Sequence, residues 1–310
     1  MGKLVRRVLI ALGLAVAAVL VLAALRVRRM MQHPDRAFDT RVERPTYSGG
    51  RRPRVIIDEA HKNVHRAGGL YAPFASLMSN DGYEVVASSA PFTADVLRGA
   101  RVLVIANAMG ARLPQLPSAG KPAFTNAEAD AVRDWVRAGG SLLLVADHAP
   151  VGAANQILAR RLGVRMSEGT TWDTVAYERG ASDSWLVFSR ENGLLGDHPI
   201  TRGRDSTERV DRIVSFTGQS LEGPPGSIPL LRLSPTAMDQ TRGRAVSVAG
   251  RAQGVALELG AGRVVVLGEA AMLTAQTTDN GRLRFGMSWP NVDNKQFALN
   301  VVRWLARDLE

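Results

Sequence analysis

Short apolar runs alternate with amphipathic stretches along the chain from residue 54 onward. The runs at 54–57, 84–87, 102–106 and 141–146 are rich in Val, Ile and Leu, and stretches with helical spacing separate them. Apolar runs of this kind are typical of strands that are covered on both faces, and strands that alternate with helices form parallel sheets. The pattern therefore predicts an α/β domain with a mostly parallel sheet and helices on both faces.

Capping signals place the connecting helices. The clearest is predicted over 126–138, because Thr125 can cap its start, Glu128 stands at the capping-box position and Gly139-Gly140 follow its end. Further helices are predicted over 70–79, 93–97, 153–162 and 295–306.

The second half of the domain is less regular. Residues 164–250 carry many Gly, Pro and polar residues, which indicates an irregular, β-rich insertion. The runs at 254–259 and 263–268 follow, separated by Gly260-Ala261-Gly262, and this spacing predicts a hairpin. One domain over 54–310, with an insertion at about 164–250, accounts for the pattern.

The N-terminal segment has a different character. Residues 8–25 contain no charge, and eighteen residues at about 1.5 Å of rise span roughly 27 Å, close to the hydrocarbon thickness of a bilayer. Arginines follow at positions 26, 28 and 29, where a cleaved signal peptide would carry small residues. The sequence predicts an uncleaved membrane anchor over 1–31, with a cleaved signal peptide and a buried helix as alternatives.

Residues 32–53 are polar and rich in Arg, and they contain three prolines and the pair Gly49-Gly50. Such a composition predicts a basic linker between anchor and domain. Basic residues flank both ends of the apolar segment, so charge alone leaves the orientation open, but a short N-terminal tail usually stays in the cytoplasm. We expect a single-pass inner-membrane protein with its domain in the periplasm.

The net charge of +10 is concentrated at the N-terminus. Residues 1–54 hold twelve basic and three acidic residues, or +9, which leaves +1 for residues 55–310. A nucleic-acid-binding domain carries its charge on a folded face, so we expect no nucleic-acid partner. A basic segment beside an apolar one suits anionic lipid, and we expect a membrane partner through residues 8–25.

Several classes of enzyme lack their motifs here. The chain has no cysteine, which excludes disulfides, a thiolate nucleophile and Cys-ligated metal. It also lacks the Gly-x-Ser-x-Gly elbow of serine hydrolases, a Walker loop and a dinucleotide-binding Gly-x-Gly-x-x-Gly after the first strand.

Polar side chains stand where three of the predicted strands end. In open α/β sheets ligands bind at the carboxyl ends of the strands, so these residues are the candidates for binding. They are Asp58, Glu59, His61, Asn63 and His65 after the first strand, Asp147 and His148 after the fourth, and Glu269 after the last. The alternative interpretation is a set of loop residues that cap helices and hydrogen-bond turns.

Three of these candidates are histidines. His61 and His65 are four residues apart, which places them on one face of a helical segment, and His148 follows another strand. We predict these three as ligands of a divalent transition metal, with a metal-free polar loop as the alternative.

Four stretches carry a resemblance to a known superfamily: VIIDEAH at 55–61, WVRAGGSLLL at 135–144, GAGRVVVLGE at 260–269 and NKQFALNVVRWL at 294–305. Together they resemble the class I glutamine-amidotransferase-like superfamily, and within it uncharacterised bacterial domains related to auxiliary proteins of gliding-type ABC transporters. The resemblance implies a flavodoxin-like fold. Amidotransferases of this superfamily use a cysteine at a strand-to-helix turn, so their thiol mechanism is excluded here.

Three functions remain as hypotheses. The leading one is a membrane-anchored binding module, without catalysis, that recognises a ligand such as a glycan or a protein of the cell envelope. The alternative is a metal-dependent hydrolase that uses the Asp, Glu and His residues at the strand ends. The third is an accessory subunit of a transporter, which would need partners because one anchor helix cannot form a pore. The first two require the ends of the first and fourth strands to form a common polar site.

Overall fold

The computed structural model describes residues 31–50, 52–112, 116–241, 243–278, 281 and 283–310, together with scattered positions before residue 24. In chain order the strands are β1 (Gln32–Pro34), β2 (Arg54–Asp58), β3 (Glu84–Ser88), β4 (Ala100–Ala106), β5 (Ser141–Val145), β6 (Arg165–Met166), β7 (Thr170–Trp172), β8 (Val187–Ser189), β9 (Arg212–Val214), β10 (Leu221–Glu222), β11 (Ile228–Arg232), β12 (Met238–Thr241), β13 (Arg244–Ser247), β14 (Ala252–Leu259), β15 (Gly262–Leu267), β16 (Ala275–Thr278) and β17 (Arg284–Gly286). The helices are α1 (Ala72–Asn80), α2 (Ala94–Leu97), α3 (Leu116–Ala119), α4 (Asn126–Arg137), α5 (Val151–Arg161), α6 (Pro199–Arg202) and α7 (Asn294–Ala306), with 3₁₀ turns at Ser206–Glu208 and Ala271–Leu273.

The main sheet has the strand order β3-β2-β4-β5-β15-β14-β10-β6, and β11 also pairs with β14. Strands β3, β2, β4, β5 and β15 are mutually parallel, whereas β14 runs antiparallel to β15. The prediction of a mostly parallel α/β sheet is therefore confirmed, and the predicted hairpin is the β14–β15 pair.

Helices cover both faces of this sheet. Val55 and Ile57 of β2 pack in one hydrophobic cluster with residues of α1 and α7, and Ile56 packs in a second cluster with residues of α4 and α5. Successive side chains of a strand point to opposite faces, so a strand without polar alternation needs a helix layer on each side. Helix α4 begins with the predicted capping box between Thr125 and Glu128.

The predicted insertion is β-rich but does not stand apart from the domain. Its strands β10 and β11 pair with β14 and thus extend the main sheet, and β6 pairs with β10. Strands β13, β12 and β7 form a separate antiparallel sheet, and β8 pairs with β9.

The segment predicted as a linker packs along the domain. Strand β1 pairs with β16, the backbone N–H of Thr46 donates to Asp81 at 2.8 Å, and the hydroxyl of Tyr47 donates to Asp308 at 2.5 Å. Much of this segment is therefore ordered by hydrogen bonds to the domain, although its composition is typical of a flexible connection.

The N-terminal prediction needs correction. Among the residues that the structure describes, no helix combines the length and the apolar character needed to span a bilayer, which takes about 20 helical residues. Positions 8, 11, 15, 20, 22, 24 and 25 of the predicted span lie outside the described residues. The predicted transmembrane helix, and with it the prediction of a single-pass inner-membrane protein with a periplasmic domain, is wrong by this finding.

Candidate functional site

Four neighbouring parallel strands end in polar residues at one edge of the sheet. Asp58 is the last residue of β2, Asn107 follows β4, Asp147 lies just beyond β5, and Glu269 just beyond β15. Strands β2 and β5 are separated only by β4, which at a strand spacing of about 4.8 Å places their ends roughly 10 Å apart. The strand order thus brings the predicted candidates to a common edge, which we call the strand-end edge (Asp58, Asn107, Asp147 and Glu269).

Asp58 is fully buried and organises the turn after β2. Its carboxylate accepts hydrogen bonds from the backbone N–H of Ala60 at 3.0 Å and from Asn63 Nδ2 at 2.9 Å. Both of its oxygens also lie 2.9 Å from Nδ1 of His61. Asn63 Oδ1 in turn accepts from the backbone N–H of His61 at 3.1 Å, so Asp58, His61 and Asn63 form one closed network.

The second nitrogen of His61 reaches helix α4. Its Nε2 lies 2.9 Å from Oε1 of Glu128, whose other oxygen accepts from the backbone N–H and hydroxyl of Thr125 in the capping box. The imidazole is 6% exposed and packs against the rings of Phe92 and Phe124. Sequence reasoning treated Glu128 only as a capping residue, and its second role depends on the packing of α4 beside β2.

The two carboxylates decide the charge of His61. Burial lowers the pKa of His61, but the hydrogen bonds and negative charges of Asp58 and Glu128 outweigh it and raise the pKa above its ordinary value. Burial raises the pKa of Glu128, yet the hydrogen bonds from Thr125 and His61 lower it overall. We infer that His61 is an imidazolium that donates from both ring nitrogens.

His65 belongs to a different network, centred on Asn107. The side-chain amide of Asn107 donates to His65 Nδ1 at 3.0 Å and to Asp147 Oδ2 at 2.6 Å, and its oxygen accepts from the backbone N–H of Asp147 at 2.9 Å. The other ring nitrogen of His65 lies 3.4 Å from Nε2 of Gln276. Burial lowers the pKa of His65 to about 3, so the ring is neutral. Asn107 was missed from sequence, although it directly follows a buried strand.

Glu269 and Asp147 are neighbouring carboxyl groups. Glu269 accepts from the backbone N–H groups of Ala271 at 2.6 Å and Met272 at 2.7 Å, and Asp147 accepts from that of Ala270 at 2.5 Å. Burial raises the pKa of Glu269 well above its ordinary value, and the charge of Asp147 adds to this shift. Burial also raises the pKa of Asp147.

The side chain of Gln219 holds the turn after β5 by hydrogen bonds to its backbone. Gln219 is fully buried, and its Nε2 donates to the backbone oxygens of Ala146 at 2.8 Å and Asp147 at 2.9 Å, while its oxygen accepts from the N–H of Glu168. The nearby Thr217 adopts φ +85°, which is strained for a β-branched residue. Gln219 follows a β-like run in the sequence, but the partners of its side chain lie 51, 72 and 73 residues away.

The remaining candidates lie apart from these networks. Glu59 accepts from Arg66 and from the backbone N–H of Ala67 at 2.9 Å, so it orders the loop before α1. His148 is half-buried, and its Nδ1 lies 2.9 Å from the backbone oxygen of its neighbour Ala149.

The predicted metal ligands are not brought together. His61 faces Asp58 and Glu128, His65 faces Asn107, and His148 faces its own turn. Within the described part of the chain, no group of three or more His, Asp or Glu side chains is arranged to hold a metal ion. Each imidazole is oriented by a separate hydrogen-bond partner, so the described geometry does not favour a shared metal ion, and the metal site stays a prediction.

No protein family and no curated protein matches the chain. Among solved structures, the "mmIFT52 N-terminal domain" is 15% identical with a TM-score of 0.59, and the match covers 81% of this chain and 97% of that one. A cytoplasmic protein from Salmonella typhimurium is 13% identical over 82% of this chain and 98% of that one, with a TM-score of 0.47. A ThuA-like protein from Bacteroides uniformis is 13% identical over 87% and 95%, with a TM-score of 0.43.

At 15% identity, the similarity to the mmIFT52 domain shows a shared fold and nothing about function. The similarity to the other two structures is too low to support a conclusion. The resemblance to the glutamine-amidotransferase-like superfamily therefore stays a prediction. The structures named here include no gliding-type transporter protein, so that finer resemblance stays a prediction. The fold and the strand-end edge define this chain as an α/β domain with a mostly parallel sheet and no cysteine nucleophile.

Proposed function

We propose that this chain is a non-catalytic binding domain on a cysteine-less, glutamine-amidotransferase-like fold. One observation carries the proposal: the acids and imidazoles at the strand-end edge are committed to hydrogen bonds with one another and with the backbone. Asp58, Asp147 and Glu269 each accept bonds at both carboxylate oxygens. Hydrogen bonds of this kind stabilise the loops at the strand ends. They leave these carboxylates with few free lone pairs that could take part in a reaction.

The state of His61 supports the same conclusion. A general base needs a free lone pair within hydrogen-bond reach of the proton that it removes. Both ring nitrogens of His61 face carboxylates, and its raised pKa favours the protonated form, which has no lone pair. His65 is neutral, but it is buried and its Nδ1 accepts from Asn107.

The two alternatives have less support. A metal-dependent hydrolase needs protein ligands that hold a metal and leave one position for water. The predicted ligands His61, His65 and His148 have separate partners, so the geometry does not favour this chemistry. A role as transporter subunit has no observation in its favour and stays a prediction.

A rigid edge suits recognition of a partner. The networks around Asp58 and Asp147 hold the turns that carry exposed Lys62 and half-buried His148. Preorganised turns lose less conformational entropy when a partner binds, which favours affinity. A protein and a glycan both remain predicted partners.

The experiment that tests the proposal is a hydrolysis screen with the full chain. Chromogenic ester, phosphoester, amide and glycoside substrates are incubated with the wild type, with and without added Zn²⁺, Mn²⁺ and Mg²⁺. His61→Gln, Asp147→Asn and the surface variant Arg160→Ala are measured in parallel, with circular dichroism as the check on folding. We expect rates equal to those of buffer for all four proteins. Turnover by the wild type that persists in Arg160→Ala and disappears in folded His61→Gln or Asp147→Asn contradicts the proposal.

A further inference from the structure

A second polar site lies at the opposite edge of the sheet, where the parallel strands begin. A cleft of about 1000 Å³ is lined there by the first residues of β2, β3 and β4, by the end of α4 and by the turn before β5. Its side chains include Arg52, Arg54, Arg98, Arg101, Glu84 and Trp135. We call it the amino-end cleft; none of the strand-end residues belongs to it.

The charge of the cleft is strongly positive. Four arginines line it against one carboxylate, that of Glu84; Arg52 and Arg54 come from the basic N-terminal segment, and Arg98 and Arg101 from the domain. The partners of these arginines are few: Arg54 lies 3.8 Å from Glu84, and Arg98 pairs with Asp95. Arg52 and Arg101 are exposed and form no ion pair with any described residue.

This charge exceeds what the local helix requires. Helix α4 ends at the cleft, and the carboxyl end of a helix carries partial negative charge that a basic side chain offsets. Arg137 already stands in the last turn of α4 and is not one of the residues that line the cleft. Arg52 and Arg101, which form no ion pair with a described residue, are therefore available to an external anion, and planar guanidinium groups match carboxylate or phosphate oxygens in pairs.

Trp135 adds a flat apolar surface beside these charges. A Cβ atom on Gly140 would lie 2.2 Å from the indole, so the ring packs directly on the backbone of the turn before β5. The ring is half-buried and also lines the cleft. Aromatic rings held in this way pack against the faces of ligand rings, both the flat face of a base and the C–H face of a sugar.

We propose that the amino-end cleft binds a small anion that carries a ring, with the anionic group on the arginines and the ring on Trp135. A nucleoside monophosphate and a sugar acid share this chemistry, and the cleft is large enough for either. The amino-end cleft is separate from the strand-end edge. If the cleft binds no anion, the proposal of a non-catalytic domain is therefore unaffected.

The test is isothermal titration calorimetry on the full chain at low salt with four probes. Adenosine monophosphate and glucuronate carry both a ring and an anionic group, inorganic phosphate carries only the anion, and adenosine only the ring. We expect at least one of the first two to bind, at least about tenfold more tightly than phosphate and adenosine, with affinity falling as salt rises. If only adenosine monophosphate or only glucuronate binds, the result shows whether the ligand is a nucleotide or a sugar acid.

Matched variants connect this binding to the cleft. Arg101→Ala and Arg52→Ala remove exposed arginines of the cleft, Trp135→Phe keeps an aromatic ring on Gly140, and Arg160→Ala removes an exposed arginine elsewhere. We expect roughly fivefold or greater weakening in Arg101→Ala and Trp135→Phe, and no change in Arg160→Ala. The proposal is overturned if neither ring-bearing anion binds, if phosphate alone binds as tightly, or if folded Arg101→Ala and Arg52→Ala both bind like the wild type.

Discussion

The Nδ1 atom of His61 lies 2.9 Å from both carboxylate oxygens of Asp58, at the end of the first strand of the parallel sheet. The opposite nitrogen of the same ring lies 2.9 Å from Glu128 in helix α4. One imidazolium thus links a buried strand end to the first turn of the helix that covers the neighbouring strands. We therefore expect the stability of the domain to depend on the protonation of His61.

The first prediction concerns His61 and pH. Its pKa is raised above the ordinary value of 6.5, because the attraction of Asp58 and Glu128 outweighs the cost of burial. A raised pKa in the folded state gives a contribution that is complete below pH 6.5 and is lost as pH rises through the folded pKa. Urea unfolding across this range should show a loss of stability that is absent in His61→Gln.

The direct measurement is an NMR titration of the His61 ring, assigned by comparison with His61→Gln. His148→Gln serves as the control, because its Nδ1 faces the backbone oxygen of Ala149 and not a pair of carboxylates. The ring signal assigned to His61 should persist in His148→Gln and disappear in His61→Gln. A folded-state pKa for His61 at or below 6.5 would falsify the imidazolium bridge.

A second prediction concerns Glu269. Burial, followed by the charge of Asp147, raises its pKa well above the ordinary value of 4.5. Its favourable contribution is therefore present below pH 4.5 and is lost as pH rises through the folded pKa. Glu269→Gln lacks this loss, so its stability relative to the wild type should improve as pH rises. If urea unfolding gives a constant difference between the two proteins, the pKa of Glu269 is the same in the folded and unfolded states and the prediction fails.

A third prediction concerns the buried pair between α7 and the end of α1. Arg303 donates through Nε and Nη2 to the two oxygens of Asp81, each at 2.8 Å, and both side chains are at most 1% exposed. Asp81→Ala should lower the free energy of unfolding by about 3–5 kcal/mol, because it leaves a buried guanidinium short of a partner. The exposed pair Arg98–Asp95 provides the control, and Asp95→Ala should change little in the same denaturation assay. Similar losses in both variants would contradict the argument from burial.

A fourth prediction compares two glycines with positive φ. Gly82 has φ +97°, and a Cβ atom there would lie 2.0 Å from the backbone oxygen of Tyr47, whereas Gly99 has φ +74° and open space. Gly99→Ala should cost about 1–2 kcal/mol for the backbone conformation alone. Gly82→Ala should cost more and should loosen the segment around Tyr47.

Limited trypsin digestion reports on that segment, because Arg41 and Arg44 precede Tyr47 in the chain. Cleavage there should accelerate in Gly82→Ala and not in Gly99→Ala. Equal cleavage rates in the two variants would mean that the contact with Tyr47 does not hold the segment in place.

Much of the fold could be predicted from local patterns. The runs before Asp58, Asn107 and Asp147 are continuous and apolar because both faces of those strands are covered, and the Thr125–Glu128 box starts α4 as its spacing indicates. The N-terminal prediction failed because it used hydropathy and charge alone, and the linker prediction missed the hydrogen bonds that tie Thr46 to Asp81.

The candidate site was only partly predictable. The rule that ligand-binding residues follow the carboxyl ends of parallel strands identified Asp58, His61, Asp147 and Glu269 as residues of one edge. The spacing of His61 and His65 did not indicate that their rings turn to different hydrogen-bond partners, because spacing along the chain does not fix the direction of a side chain.

By itself, the sequence determined which segments become buried strands, where α4 begins, and that no thiol chemistry takes place, because these depend on residue types and local spacing. Only the tertiary structure decided which side chains meet. Glu128 reaches His61 across 67 positions and Gln276 approaches His65 across 211, because the strand order and the packing of α4 bring them together. Hydrogen-bond partners at such separations depend on the whole arrangement of strands and helices, and no local pattern records them.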